Sequence, residues 1–114
     1  MALAIASREV DGVNVLDLSG RITLGEGSVQ LRDAIRDLIA KGQRRILLDM
    51  GDVNYIDSSG LGELVSAYTS AKNQGAVLKL LKLTKKVHDL LQLTKLYTVF
   101  DIYDDEASAI ASYK

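Results

Sequence analysis

Two short β-like runs rich in apolar residues, Leu3 to Val10 and Val13 to Leu18, flank the dipeptide Asp11-Gly12. The runs predict two strands, and the dipeptide suits the tight turn of an antiparallel hairpin. The segment from Gly20 to Gly27 then breaks the pattern with three glycines, after which Leu31, Ile35, Leu38 and Ile39 recur at helical spacing. A first helix is expected from Ser28, as its N-cap, to Lys41, with Gly42 as the stop. Arg45 to Met50 is a nearly continuous apolar run, the form of a central strand in a parallel sheet covered by helices.

Next comes a stretch of hydroxyls and glycines, Tyr55-Ile56-Asp57-Ser58-Ser59-Gly60-Leu61-Gly62, read as a turn that feeds a second helix from Leu61 to Asn73. Leu61, Leu64, Val65 and Tyr68 fall at i, i+3, i+4 and i+7 and should face the sheet. The opposite stripe is Gly62, Ser66, Ser70 and Asn73, with no charge between Glu63 and Lys72. A small, uncharged surface lets another protein approach without desolvating charges, so this stripe is expected to be a docking face; deeper burial within the fold is the other reading. Gly75 ends the helix, and Val77 to Leu81 forms the next strand. A third helix opens at Thr84, with Val87, Leu90 and Leu91 inward and Lys85 and Lys86 in the first turn, where the helix dipole disfavours cations. Together with Lys79 and Lys82 these lysines read as a solvated face or as a surface for an acidic partner. Val99 to Tyr103 should be an edge strand, and Ala107, Ile110 and Ala111 the inner stripe of a closing helix. The order ββαβαβαβα with right-handed crossovers predicts one α/β domain over residues 1–114. Its sheet would be mixed and mainly parallel, with the helices packed on one face.

Composition narrows the function. With 47% hydrophobic residues in 114, one core can form, and the absence of cysteine removes disulfides and thiolate chemistry. A net charge of −1 argues against direct nucleic-acid binding. The opening Met1 to Ser7 lacks a basic leader, and no apolar run approaches the roughly 20 residues of a membrane span, so no membrane association and a cytoplasmic address are expected.

The candidate chemistry gathers around Ser58. Free N–H groups at a helix start beside two serines suit a phosphate. No GxxxxGK[ST] loop is present to hold a nucleotide, so the phosphate would have to be attached covalently. A serine nucleophile elbow needs glycine two residues to either side, whereas Ser58 follows Ile56 and Ser59 follows Asp57 at that distance. His88, next to Asp89, is the one histidine, and Asp49, Asp52 and Asp57 lack a metal-binding spacing. Asp49 and Asp52 read as turn and solvent groups. Neither an enzyme, nor a cofactor, nor a metal is expected, and Asp57 or Ser58 could simply cap the second helix.

The run Asp57-Ser58-Ser59-Gly60-Leu61-Gly62, after an apolar strand and an aromatic residue, resembles the phosphorylation loop of bacterial anti-sigma factor antagonists of the STAS domain family. Leu18-Ser19-Gly20 and Leu93-Thr94-Lys95-Leu96 extend the resemblance along the chain. It implies a partner-switching protein that binds an anti-sigma factor with serine kinase activity and thereby frees a sigma factor. Ser58, the first serine after the aspartate, would be the phosphoacceptor, and a serine phosphatase would reset the switch. The resemblance further implies that Asp57 orients the loop, that Ser59 serves the helix start, and that Gly60 and Gly62 let the kinase backbone come near. Family members commonly carry an acidic residue where this chain has Thr23, in a segment here one residue longer, which bears on partner identity. A phosphorylation-independent scaffold or sensor subunit is the alternative role, and a monomer or weak dimer the expected state.

Overall fold

The structure is a computed structural model that describes residues 3–113. Strands β1 (Leu3–Val10) and β2 (Val13–Ile22) form the expected hairpin. Asp11 and Gly12 both have positive φ, 51° and 81°, the backbone of a primed turn whose twist matches that of the strands. β2 runs past the predicted end at Leu18. Gly20 takes φ 106°, the register against the neighbouring strand slips on either side of it, and pairing resumes at Arg21 and Ile22. A glycine read as a strand terminator is thus part of a bulge.

Helix α1 (Glu26–Ala40) begins earlier than expected, after Gly25, and no side chain caps it. Ser28 is buried, and its hydroxyl donates to the Thr23 carbonyl at 2.8 Å instead. Strand β3 (Arg45–Ile56) is followed by α2 (Ser58–Asn73), β4 (Val77–Leu81), α3 (Lys85–Leu93), β5 (Ile102–Tyr103) and α4 (Glu106–Ala111). The edge strand β5 is shorter than the predicted Val99–Tyr103 run, because the chain from Thr94 to Val99 continues in turns bonded back to α3.

The sheet order is β1-β2-β3-β4-β5, with only the hairpin antiparallel, as the mixed α/β fold required. Alternation sorts the central strands onto two faces. Leu16, Leu18, Ile46, Leu48, Leu78 and Leu80 belong to the core shared with α1, α2 and α3. Val13, Val15, Leu47 and Leu81 form a second cluster with Ala109 and Ile110 of α4. Hence the helices do not all lie on one face: α4 covers the other. Its inner residues are Ala109 and Ile110, while Ala107 and Ala111 are exposed.

Polar side chains on the α4 side hold it in place. Arg8 of β1 donates through Nε to Asp17 of β2 at 2.7 Å and also pairs with Glu106 of α4. Asp49, expected in a turn, is a strand residue 4.0 Å from Arg8 that accepts the Gly51 N–H at 3.0 Å. The guanidinium of Arg8 holds the Asp17 and Glu106 carboxyls below the usual carboxylate range. Their contribution is therefore present above the unfolded carboxylate values and lost on acidification through the depressed ones. Lys79 is no solvated lysine: it is 7% exposed, its ammonium donates to Ser112 Oγ at 2.8 Å, and it lies 4.7 Å from the ring centre of Tyr113.

Helices α1 and α2 end in Gly42 and Gly75, each in the left-handed region and each followed by an N–H bonded back to the last turn. The corresponding residue after α3 is Lys95, at φ 61°. A side chain there carries a strain of about 1 kcal/mol that glycine lacks. Lys95→Gly is expected to raise stability by a few tenths to about 1 kcal/mol, part of the gain being offset by unfolded-state entropy. An unchanged or lower urea midpoint would contradict it.

Candidate functional site

The site lies where β3 ends and α2 begins. The strand continues through Tyr55 and Ile56, and a single extended residue, Asp57, joins it to the helix. The expected glycine-rich turn is therefore absent, and α2 starts at Ser58 rather than Leu61. Asp57 explains the abrupt start. Its Oδ1 accepts the Gly60 N–H at 2.8 Å, and its main-chain carbonyl accepts the Leu61 N–H at 2.9 Å. The other carboxylate oxygen accepts the Leu24 N–H at 3.1 Å, and the Asp57 N–H donates to the Ile22 carbonyl at 3.3 Å. One side chain thus caps α2 and ties it to the segment between β2 and α1. The N–H groups of Gly60 and Leu24 hold the Asp57 carboxyl below its ordinary range, so it is charged at neutral pH.

Ser58 is the first residue of α2 and is exposed, and its hydroxyl makes no hydrogen bond among the described residues. Ser59 is half-exposed beside it. Gly60 is buried, and a Cβ built on it would lie 2.0 Å from the Ile22 carbonyl oxygen. Its lack of a side chain serves the approach of α2 to β2 and not the approach of a partner. Gly62, in contrast, is exposed with nothing near its Cβ position. Thr23 is half-buried, with its carbonyl taken by the N–H and hydroxyl of Ser28.

Ser58, Gly62, Ser66 and Ser70 form an i, i+4 row, and such a row drifts around the helix axis. The drift carries Ser66 and Ser70 into a crevice against α1 bordered by Arg32, Arg36 and Glu63. The stripe expected to be free of charge therefore has charged neighbours from α1 and α2. At the other end, Ser58 opens onto a groove of roughly 670 Å³ between α2 and α3, walled by Tyr55, Leu61, Leu90 and Leu93. Leu93 is 81% exposed and Tyr55 41%, with the Arg21 guanidinium 5.1 Å above the Tyr55 ring. The periodicity of α2 and α3 does not predict this groove. Its signal was Leu93, three residues after Leu90, which widens the apolar arc of α3 beyond what Val87 and Leu91 need to reach the core. His88 stands apart from the groove, in a T-shaped pair with Tyr97 whose ring centres are 4.8 Å apart.

A family model described as STAS domain matches residues 4–109. The anti-sigma F factor antagonist of Paenibacillus polymyxa is 29% identical over 111 residues, covering 96% of this chain and 94% of that protein. The anti-sigma-B factor antagonist of Bacillus subtilis is 35% identical over 88 residues, 76% of this chain and 78% of that protein. A crystal structure from Thermotoga maritima, provisionally described as an anti-sigma factor antagonist, aligns with a TM-score of 0.86 at 28% identity, covering 95% of this chain and 92% of that one.

Proposed function

The chain belongs to the STAS domain family, and from that premise we propose that it is an anti-sigma factor antagonist switched by phosphorylation of Ser58. The observation that carries the reading is the exposed, unbonded Ser58 hydroxyl at the first position of α2, presented by a cap that uses both oxygens of Asp57. Unmodified, the chain binds an anti-sigma factor with serine kinase activity. Thr23, Asp57, Ser58, Ser59 and Gly62 form the contact region, with the apolar groove beside them, and Gly60 supports it from within. Phosphorylation adds about −1.5 to −2 charges next to an ionised Asp57, which repels a partner seated there. The α2 N-terminus, favouring negative charge, limits the cost to this chain's own fold. A serine phosphatase reverses the step. Incubation with the cognate kinase and ATP should add the mass of one phosphate, on the tryptic peptide containing Ser58. A mass unchanged under conditions where the kinase binds would leave the phosphorylation-independent scaffold as the better account.

The docking surface extends along the row to Ser66 and Ser70. Surface substitutions change stability by about 0.5 kcal/mol or less, whereas a long charged side chain carried into an interface must be desolvated, even beside Arg32, Arg36 and Glu63. Ser66→Lys and Ser70→Glu should therefore weaken anti-sigma binding by about tenfold or more while leaving the melting temperature nearly unchanged. Unaltered affinity of both variants in isothermal titration would remove this row from the interface.

A further inference from the structure

The groove between α2 and α3 has Ser58 on one wall and Lys86 on the other. Two acidic residues line it, and each already has partners. Asp57 accepts two backbone N–H groups, and Asp89 pairs with Lys85 at 3.1 Å and lies 3.6 Å from His88 Nδ1. Lys86 makes no ion pair among the described residues, and it is exposed in the first turn of α3, where the dipole opposes a cation. An anion delivered to the groove would remove that mismatch. The start of α3 is held toward the site, because the Thr84 hydroxyl donates to the Val53 carbonyl of β3 at 3.0 Å.

We infer that Lys86 is the intramolecular partner of the phosphate on Ser58, and that modification closes the groove by an ion pair across it. The inference rests on the reading of Ser58 as phosphoacceptor. It adds a second way of turning the protein off: besides repelling the anti-sigma factor, the phosphate draws a lysine over the apolar walls that the factor would contact. The flexible four-carbon stem of lysine suits a partner that is present in only one of the two states.

The test installs phosphoserine at position 58 during translation, so that no kinase is needed. The second phosphate ionisation, about 6 for free phosphoserine, is followed by phosphorus NMR at low ionic strength. A nearby cation favours the dianion, so the phosphate of the otherwise unaltered chain should titrate about half a unit below that of Lys86→Gln. Lys85→Gln and Arg21→Gln, which remove the cations paired with Asp89 and stacked on Tyr55, should move it less than half as far. No shift in Lys86→Gln, or equal shifts in all three variants, would overturn the inference. Failure of the kinase to modify Ser58 would instead count against the switch itself and leave this titration unaffected.

Discussion

Ser58→Ala is expected to keep its full affinity for the anti-sigma factor after exposure to ATP, under conditions in which the unaltered chain loses about tenfold or more. The estimate follows from the setting of the residue: phosphate adds its charge to that of ionised Asp57 on a surface the partner must cover, and burying unpaired charge at an interface costs several kcal/mol, with about 1.4 kcal/mol per factor of ten. Alanine removes the acceptor oxygen but not the cap, because the hydrogen bonds at the helix start come from Asp57 and not from Ser58. Ser58→Glu places one negative charge at the same exposed position and should bind more weakly even without ATP, although a carboxylate is smaller in charge than phosphate. Ser59→Ala should still be phosphorylated and still be switched. Titration of all three variants with and without ATP decides the matter. If Ser58→Ala loses affinity on ATP addition and gains phosphate elsewhere, the switch does not reside at Ser58.

The second large effect is structural. Gly60→Ala should lower stability by about 3 kcal/mol or more, at the upper end of what overpacking costs. The added methyl would lie 2.0 Å from the Ile22 carbonyl oxygen and 2.8 Å from its carbon, distances that no rotamer change can relieve. Ile22 is fully buried and its strand is paired with β3, so α2 would have to move away and Asp57 would lose its hold on Leu24. Gly62→Ala, two residues along the same helix, meets open space and should stabilise by about 0.5–1 kcal/mol through helix propensity alone. The difference between their denaturation midpoints measures how tightly the site is pinned. Similar midpoints for the two variants would mean that it is not.

The strands and helices were legible wherever one period dominated: the hairpin around Asp11-Gly12, the apolar run of β3, and the stripe of α1. Legibility failed where a residue served two purposes. Gly20 punctuates the sequence as a breaker, yet its positive φ lets β2 continue to Ile22. Ser28 has the composition of a cap but bonds backward to Thr23, whereas Asp57, one of the two caps the sequence offers for α2, does cap it, directly before a first turn that contains a glycine. The face that α4 covers is not legible, because six residues are too few to reveal their inward side, and because both faces of β2 and β3 are apolar. At the site, Ser58 and Asp57 could be named from the motif. The groove could not, since Leu93 marks only an extra apolar position on α3, and that α3 stands beside the start of α2 is a relation that no local pattern encodes.

β3 outruns β4: its pairing with that neighbour stops at Asp49, while pairing with β2 persists to Ile56. Because β1 in turn stops opposite Gly20, the last step into the switch, Tyr55 and Ile56 against Arg21 and Ile22, is a two-stranded ribbon, and such a ribbon has little stability of its own. Its amide protons should exchange with solvent faster than those of Ile46 to Leu48, by local openings that leave the central sheet closed. On the proposed switch, a kinase active site, and later a phosphatase, would reach Ser58 through an opening whose cost is confined to that ribbon, and the central sheet would stay closed throughout.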